Sequence, residues 1–132
     1  MNEPSGAPAI LIVDEDVGFL WWLGELFHEA GYRSIPALSC EQALSLVRDV
    51  QGGIDLLVVS PSMQGVSGLI LTLSRIHPPK VVLIQDLATE LIPGVWAVAT
   101  LQRPLGPEPV SRQEWRQKIG EILSQVGFRA AS

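Results

Sequence analysis

The chain has 132 residues, of which 47% are hydrophobic and 17% charged, values that suit one globular domain with its own core and exclude a disordered chain. Its 9 basic and 14 acidic residues leave a formal net charge of −5, which argues against direct binding to a nucleic-acid backbone. A single cysteine, Cys40, excludes an internal disulfide, and no apolar run approaches membrane-spanning length, so a soluble cytoplasmic domain is expected.

The opening MNEPSGAP has no basic leader region. AILIV (9–13) is a continuous apolar run between Pro8 and the acids Asp14, Glu15 and Asp16, the pattern of a strand buried on both faces. Phe19, Leu23, Leu26, Phe27 and Ala30 then recur at helical spacing over 17–30, and Gly31 closes that helix. YRSI (32–35) is a weak second strand. Ser39 and Gln42 form a capping box for a helix running to about Val50, with Ala43, Leu44 and Val47 inward and Gly52-Gly53 beyond its end. A strand over 55–59 follows. The next helix runs from about Gly68 to Ile76 and stops at His77-Pro78-Pro79. KVVLI (80–84) and WAVATL (96–101) are further strands. Ser111 and Glu114 make a second capping box, and behind it Trp115, Ile119, Ile122, Leu123 and Val126 form one helical stripe.

Strands alternating with helices over short connections predict an α/β fold, with a parallel sheet covered on both faces. The length fits a flavodoxin-like doubly wound five-stranded sheet in the order 2-1-3-4-5 with five helices, a three-layer α/β/α domain over 9–127 with short tails at 1–8 and 128–132. In that order the ligand crevice lies at the carboxyl ends of strands 1 and 3, where the winding reverses. Those ends are Asp14-Glu15-Asp16 and Ser60. The acidic cluster is thereby placed beside Ser60, which stands where the strand of IDLLVVSPSMQGVSG (54–68) opens into a Pro/Ser/Gly loop.

Over about 9–127 the chain resembles the receiver domain of two-component response regulators. ILIVDED is similar to that family's first strand with its acidic metal-binding pair, which falls on Asp14 and Glu15. GYRSIPALSCEQAL resembles the segment leading into the second helix. DLLVVSPSMQGVSG resembles the third strand and its loop, with Met63 and Gly68 at the expected offsets. LQRP places Arg103-Pro104 where the family has Lys-Pro. The resemblance implies a signalling module with a protein partner, a homodimer among the options. It also implies a cis bond at Arg103–Pro104.

The departures from that pattern fall on its chemistry. Where receivers carry the Asp that accepts a phosphoryl group, with Mg²⁺ gathering acids and phosphate oxygens, this chain has Ser60. The hydroxyl residue after strand 4 aligns with Gln85, the aromatic switch residue of strand 5 with Thr100, and the phosphate-contacting Lys with Arg103. Acceptor, hydroxyl and aromatic are absent together. The interval from Gln85 to Arg103 is about a helical turn shorter than the family's and contains Pro93 and Gly94, so its helix is expected to be brief or irregular.

These residues read as a vestigial phosphorylation site in a non-enzymatic pseudo-receiver. Asp14 and Glu15, with Asp16, remain weak Mg²⁺ candidates beside the simpler reading of two acids and a helix cap. Arg103 is expected to bridge Asp14 or Glu15 across the vacated site. A small ligand in the crevice is one alternative; a small enzyme using Ser60 or the acids is another, although Ser60 lacks the Gly-x-Ser-x-Gly elbow and an evident His partner. His28 and His77 have no metal-like spacing, and His77 suits a helix C-terminus. Leu20 and Trp21 are expected on the flank of the first helix, covered by the N-terminal segment or exposed as an interface.

Overall fold

A computed structural model of the chain describes residues 8–48, 53–85, 99–102, 112–125 and 127. The β-branched and aliphatic run Ala9–Val13 forms β1, with every residue buried. The acids after it end the strand, and Asp16 caps the helix α1 (Val17–Glu29), its side chain accepting from the Phe19 N–H. β2 (Arg33–Ala37) returns alongside β1. Ser39 then caps α2 (Cys40–Val47), its Oγ accepting from the Gln42 N–H at 3.0 Å, while Gln42 Oε1 accepts from Leu38 rather than from Ser39 itself. The helix α2 ends at Val47 with Arg48 as its C-cap, short of the expected Val50.

β3 (Leu56–Val59) leads through the loop around Ser60 into α3 (Val66–Ile76). This helix starts two residues ahead of the expected Gly68, because Gly65, at φ 89°, takes the left-handed N-cap position that a glycine adopts freely. β4 (Lys80–Gln85), β5 (Ala99–Gln102) and α4 (Arg112–Gln125) complete the described elements. The five strands are all parallel and lie in the order β2-β1-β3-β4-β5. The expected topology holds, with β1, β3 and β4 central. The described residues contain four helices rather than five; the fifth was expected between Gln85 and Arg103, largely outside the described residues. The caps at Ser111, the Arg103–Pro104 bond and both chain ends also lie outside them.

Strand alternation sends Ile10, Ile12, Leu56, Val58, Val82, Ile84 and Leu101 to one sheet face, where α1 and α4 cover them. Leu11, Val13, Leu57, Val59, Val81 and Leu83 go to the other, under α2 and α3. The central strands β1, β3 and β4 are therefore apolar at consecutive positions, as a sheet covered on both sides requires, while the edge strands β2 and β5 are mixed. α1 and α4 are keyed together by aromatic rings. Trp115 meets Trp22 at 4.9 Å and Phe19 at 5.8 Å between centroids, both edge-to-face, and Lys118 lies 5.2 Å over the Trp115 ring. At the surface of the same joint Arg112 and Arg116 both pair with Glu29.

Leu20 requires a correction. It is 2% exposed and belongs to the core under α1, while its neighbour Trp21 is 61% exposed. The buried stripe of α1 is wider than expected: Phe19, Leu20, Leu23, Leu26 and Phe27 all turn toward the sheet, because Leu20 adjoins Leu23 and Phe27 one and two turns on.

Candidate functional site

The register of the central strands builds the candidate site. Val13 of β1 pairs with Val59 of β3, so Asp14 and Ser60, the next residues, stand side by side at the carboxyl edge of the sheet. Backbone bonds fix both: the Ser60 N–H donates to Val13 O at 3.2 Å and the Asp14 N–H to Ala37 O at 3.1 Å. Both side chains are buried. Asp14 Oδ1 accepts from the Asp16 N–H at 2.8 Å, which folds the acidic loop back over the strand end. Ser60 Oγ lies 3.1 Å from Ser62 Oγ, so its partner among the described residues is another hydroxyl. Glu15 is exposed, and Asp16 is occupied as the cap of α1.

Gln85 ends β4 at the same edge. Thr100 lies further back in β5, paired with Leu83, and is exposed. Arg103 and Pro104 lie outside the described residues. Asp14, Glu15, Ser60 and Gln85 are thus gathered at one end of the sheet, and Thr100 sits one level below it.

Asp55 and His77 lie at the other end. Asp55 Oδ2 accepts from the Ala9 N–H at 2.9 Å, and His77 Nε2 is 3.6 Å from Asp55 Oδ1. This contact ties the start of β1 and β3 to the end of α3; it is structural, and the sequence carries no local signal for it. His77 stands at the C-cap of α3, where its backbone N–H donates to Leu73 O, while its ring turns to Asp55 rather than to the helix-end carbonyls. Ser62 is the further site residue that sequence reasoning passed over; its offset of two from Ser60 was the available signal.

Beside the strand ends, a groove of about 870 Å³ runs between the loops that enter α2 and α3, with Glu15, Ser39, Cys40, Met63 and Thr72 among its walls. Burial pushes the Cys40 thiol above its ordinary pKa, the opposite of an activated cysteine.

The sequence matches no protein-family model and no curated protein sequence. Solved structures do match. The chemotaxis response regulator CheY4 of Vibrio cholerae is similar over 91% of this chain and 98% of its own, at 17% identity and a TM-score of 0.65. A signal receiver domain of an HD domain-containing protein from Pseudomonas fluorescens Pf-5 is similar over 96% and 90%, at 22% identity and a TM-score of 0.67. The receiver domain of the hybrid histidine kinase CckA covers 89% and 97%, at 23% identity and a TM-score of 0.62. The chain has the fold of response-regulator receiver domains. Identities this low establish the shared fold and nothing finer.

The Mg²⁺ that the receiver resemblance implies is not matched by this donor set. A hard divalent cation draws on several oxygen ligands, mostly carboxylates. Here one carboxylate, Asp14, is buried and accepts a backbone N–H, Glu15 is exposed, and a serine hydroxyl stands at the end of β3. Among the described residues no three His, Cys, Asp or Glu side chains gather closely enough to hold a metal. Among them, too, no helix is long and apolar enough to cross a membrane.

Proposed function

We propose that this chain is a pseudo-receiver, a signalling module that works by constitutive protein contact and not by phosphoryl transfer. Ser60 carries the reading. At the carboxyl end of β3, where a receiver of this fold would present its acceptor carboxylate, stands a buried hydroxyl bonded to Ser62. A serine supplies neither the carboxylate nucleophile nor the metal ligand that the transfer needs. A switch further requires two conformations that a ligand binds with different affinity. With Gln85 and Thr100 at the positions of the hydroxyl and aromatic that would follow a phosphoryl group, nothing is left to bias them.

The useful feature of such a scaffold is its outside. Trp21, 61% exposed on α1, is the side chain best suited to anchor a contact. The partner is a protein of a cytoplasmic signalling pathway. The reading is non-enzymatic because neither histidine of the chain stands by Ser60: His77 sits by Asp55 at the far end of the sheet, and His28 lies in the last turn of α1.

The test adds beryllofluoride or acetyl phosphate with Mg²⁺ and follows amide NMR shifts. The expected spectrum equals that with Mg²⁺ alone; shifts centred on Ser60 that require the phosphodonor would refute the proposal. The groove beside the site favours a second reading, a receiver-like sensor of a small ligand. Ligand-induced shifts clustered at Ser39, Met63 and Thr72 would support that reading over the first.

A further inference from the structure

The flank of α1 carries a knob and a hole one turn apart. Val17 and Trp21, spaced by four residues, are 50% and 61% exposed. Gly24, three residues after Trp21, is buried at the bottom of the flank and has no side chain, which leaves above it a cavity of about 280 Å³ walled by Trp21, Glu25 and His28 on α1 and by Ser34 and Pro36 on β2. A Cβ at Gly24 would meet Ser34 Oγ at 3.6 Å, so Ser34 lies at the floor of this hole. We infer that this face pairs with a second copy of the chain, two α1 helices packing antiparallel about a two-fold axis with each Trp21 seated over the other's Gly24. The inference rests on the reading of Trp21 as part of a constitutive contact surface.

Three observations select this occupant. Self-pairing needs a patch that is its own complement, with residue i meeting j and j meeting i; Trp21 and Gly24 meet that condition on one helix. The local charge is also balanced. Glu25 lies 3.6 Å from Arg112, and Glu29 is held by Arg112 and Arg116, so two copies bring no uncompensated carboxylates together, and little charge remains to recruit a basic helix. Strand addition at the neighbouring sheet edge is disfavoured. The Arg33 N–H donates to Pro8 O and Ala37 O accepts from Asp14, so odd-numbered residues of β2 turn their backbone toward β1 and Ser34 and Pro36 turn theirs outward. Pro36 has no N–H to offer there. What remains is side-chain packing on α1. Val17 to His28 spans only about 16 Å of helix, which sets a small interface and a reversible dimer.

Sedimentation equilibrium of the full chain, with and without acetyl phosphate and Mg²⁺, tests this. The expected wild-type result is a dimer half-formed at micromolar concentration in both conditions. Trp21→Ala and Gly24→Ala should each weaken it by about tenfold or more. Gly24→Ala guards against misfolding as the cause: it adds a better helix former at ordinary contact distance, so its melting temperature should hold or rise while dimerisation falls. A chain that stays monomeric up to about 1 mM and ignores the phosphodonor refutes the dimer alone and leaves the contact-module reading standing. A dimer insensitive to both substitutions, or a monomer that binds an amphipathic Lys/Leu peptide through Trp21, also overturns it. Dimerisation only with phosphodonor refutes both proposals.

Discussion

Single side chains decide what the carboxyl edge of the sheet can do. Ser60 is buried beside the equally buried Asp14. Replacing it, Ser60→Asp, sets a second carboxylate against the first where water is scarce, and like charges so placed oppose each other's ionisation. The variant is expected to lose about 1–3 kcal/mol of stability at neutral pH, the cost of a poorly compensated buried charge. Part of that loss should return on adding Mg²⁺, whereas the wild type should not respond; equal Mg²⁺ responses in thermal melts would refute the account. Leu20 and Trp21, adjacent in sequence, should behave oppositely. Leu20→Ala opens the core under α1 and is expected to cost about 2–5 kcal/mol in denaturant unfolding. Trp21→Ala, at an exposed site, is expected to stay within about 0.5 kcal/mol.

Between elements, the joint of α1 with α4 combines an aromatic interior with an ionic surface. Phe19, Trp22 and Trp115 pack inside it, and Glu29 bridges Arg112 and Arg116 outside. The Arg112 hydrogen bond, joined by that of Arg116, holds the Glu29 carboxyl below its ordinary 4.5. A lowered folded-state pKa means the bridge contributes fully above the unfolded value and fades as pH falls through the folded one. Wild type should therefore melt above Glu29→Gln at neutral pH, and the gap should close in acid, beginning near 4.5. The Glu29 side chain is partly exposed, so the gap is expected to be small and to shrink in high salt. A gap that is constant from neutral pH into strong acid would show that the bridge contributes nothing through its charge.

For the molecule as a whole, Cys40 offers a report on cooperativity. It is buried in the layer under α2 and α3, packed with Ala37, Val59 and Leu69, and its thiol pKa is raised by that burial. Reaction with a thiol reagent should then be far slower in the native state than for a free thiol. It should also rise with denaturant in step with loss of the fold, because only opening of that layer exposes the sulfur. Fast modification of a chain that remains folded would mean that α2 opens by itself.

Much of the fold was legible in the sequence because parallel strands buried on two faces must be apolar at every position. AILIV, LLVV and VVLI announce themselves without tertiary knowledge, and the caps at Asp16 and Ser39 act through bonds within a few residues. The order of strands and the meeting of Asp14 with Ser60 followed from connection rules and from resemblance. Tertiary structure alone decided the rest. A helical stripe read by spacing has soft edges, so only the sheet beneath α1 could say that Leu20 is core and Trp21 is not. The early start of α3 depended on the backbone angle of Gly65, and the stitch from Asp55 to Ala9 and His77 joins residues far apart in the chain. Local pattern is written in neighbouring residues; contacts between distant segments exist only once the sheet has brought them together.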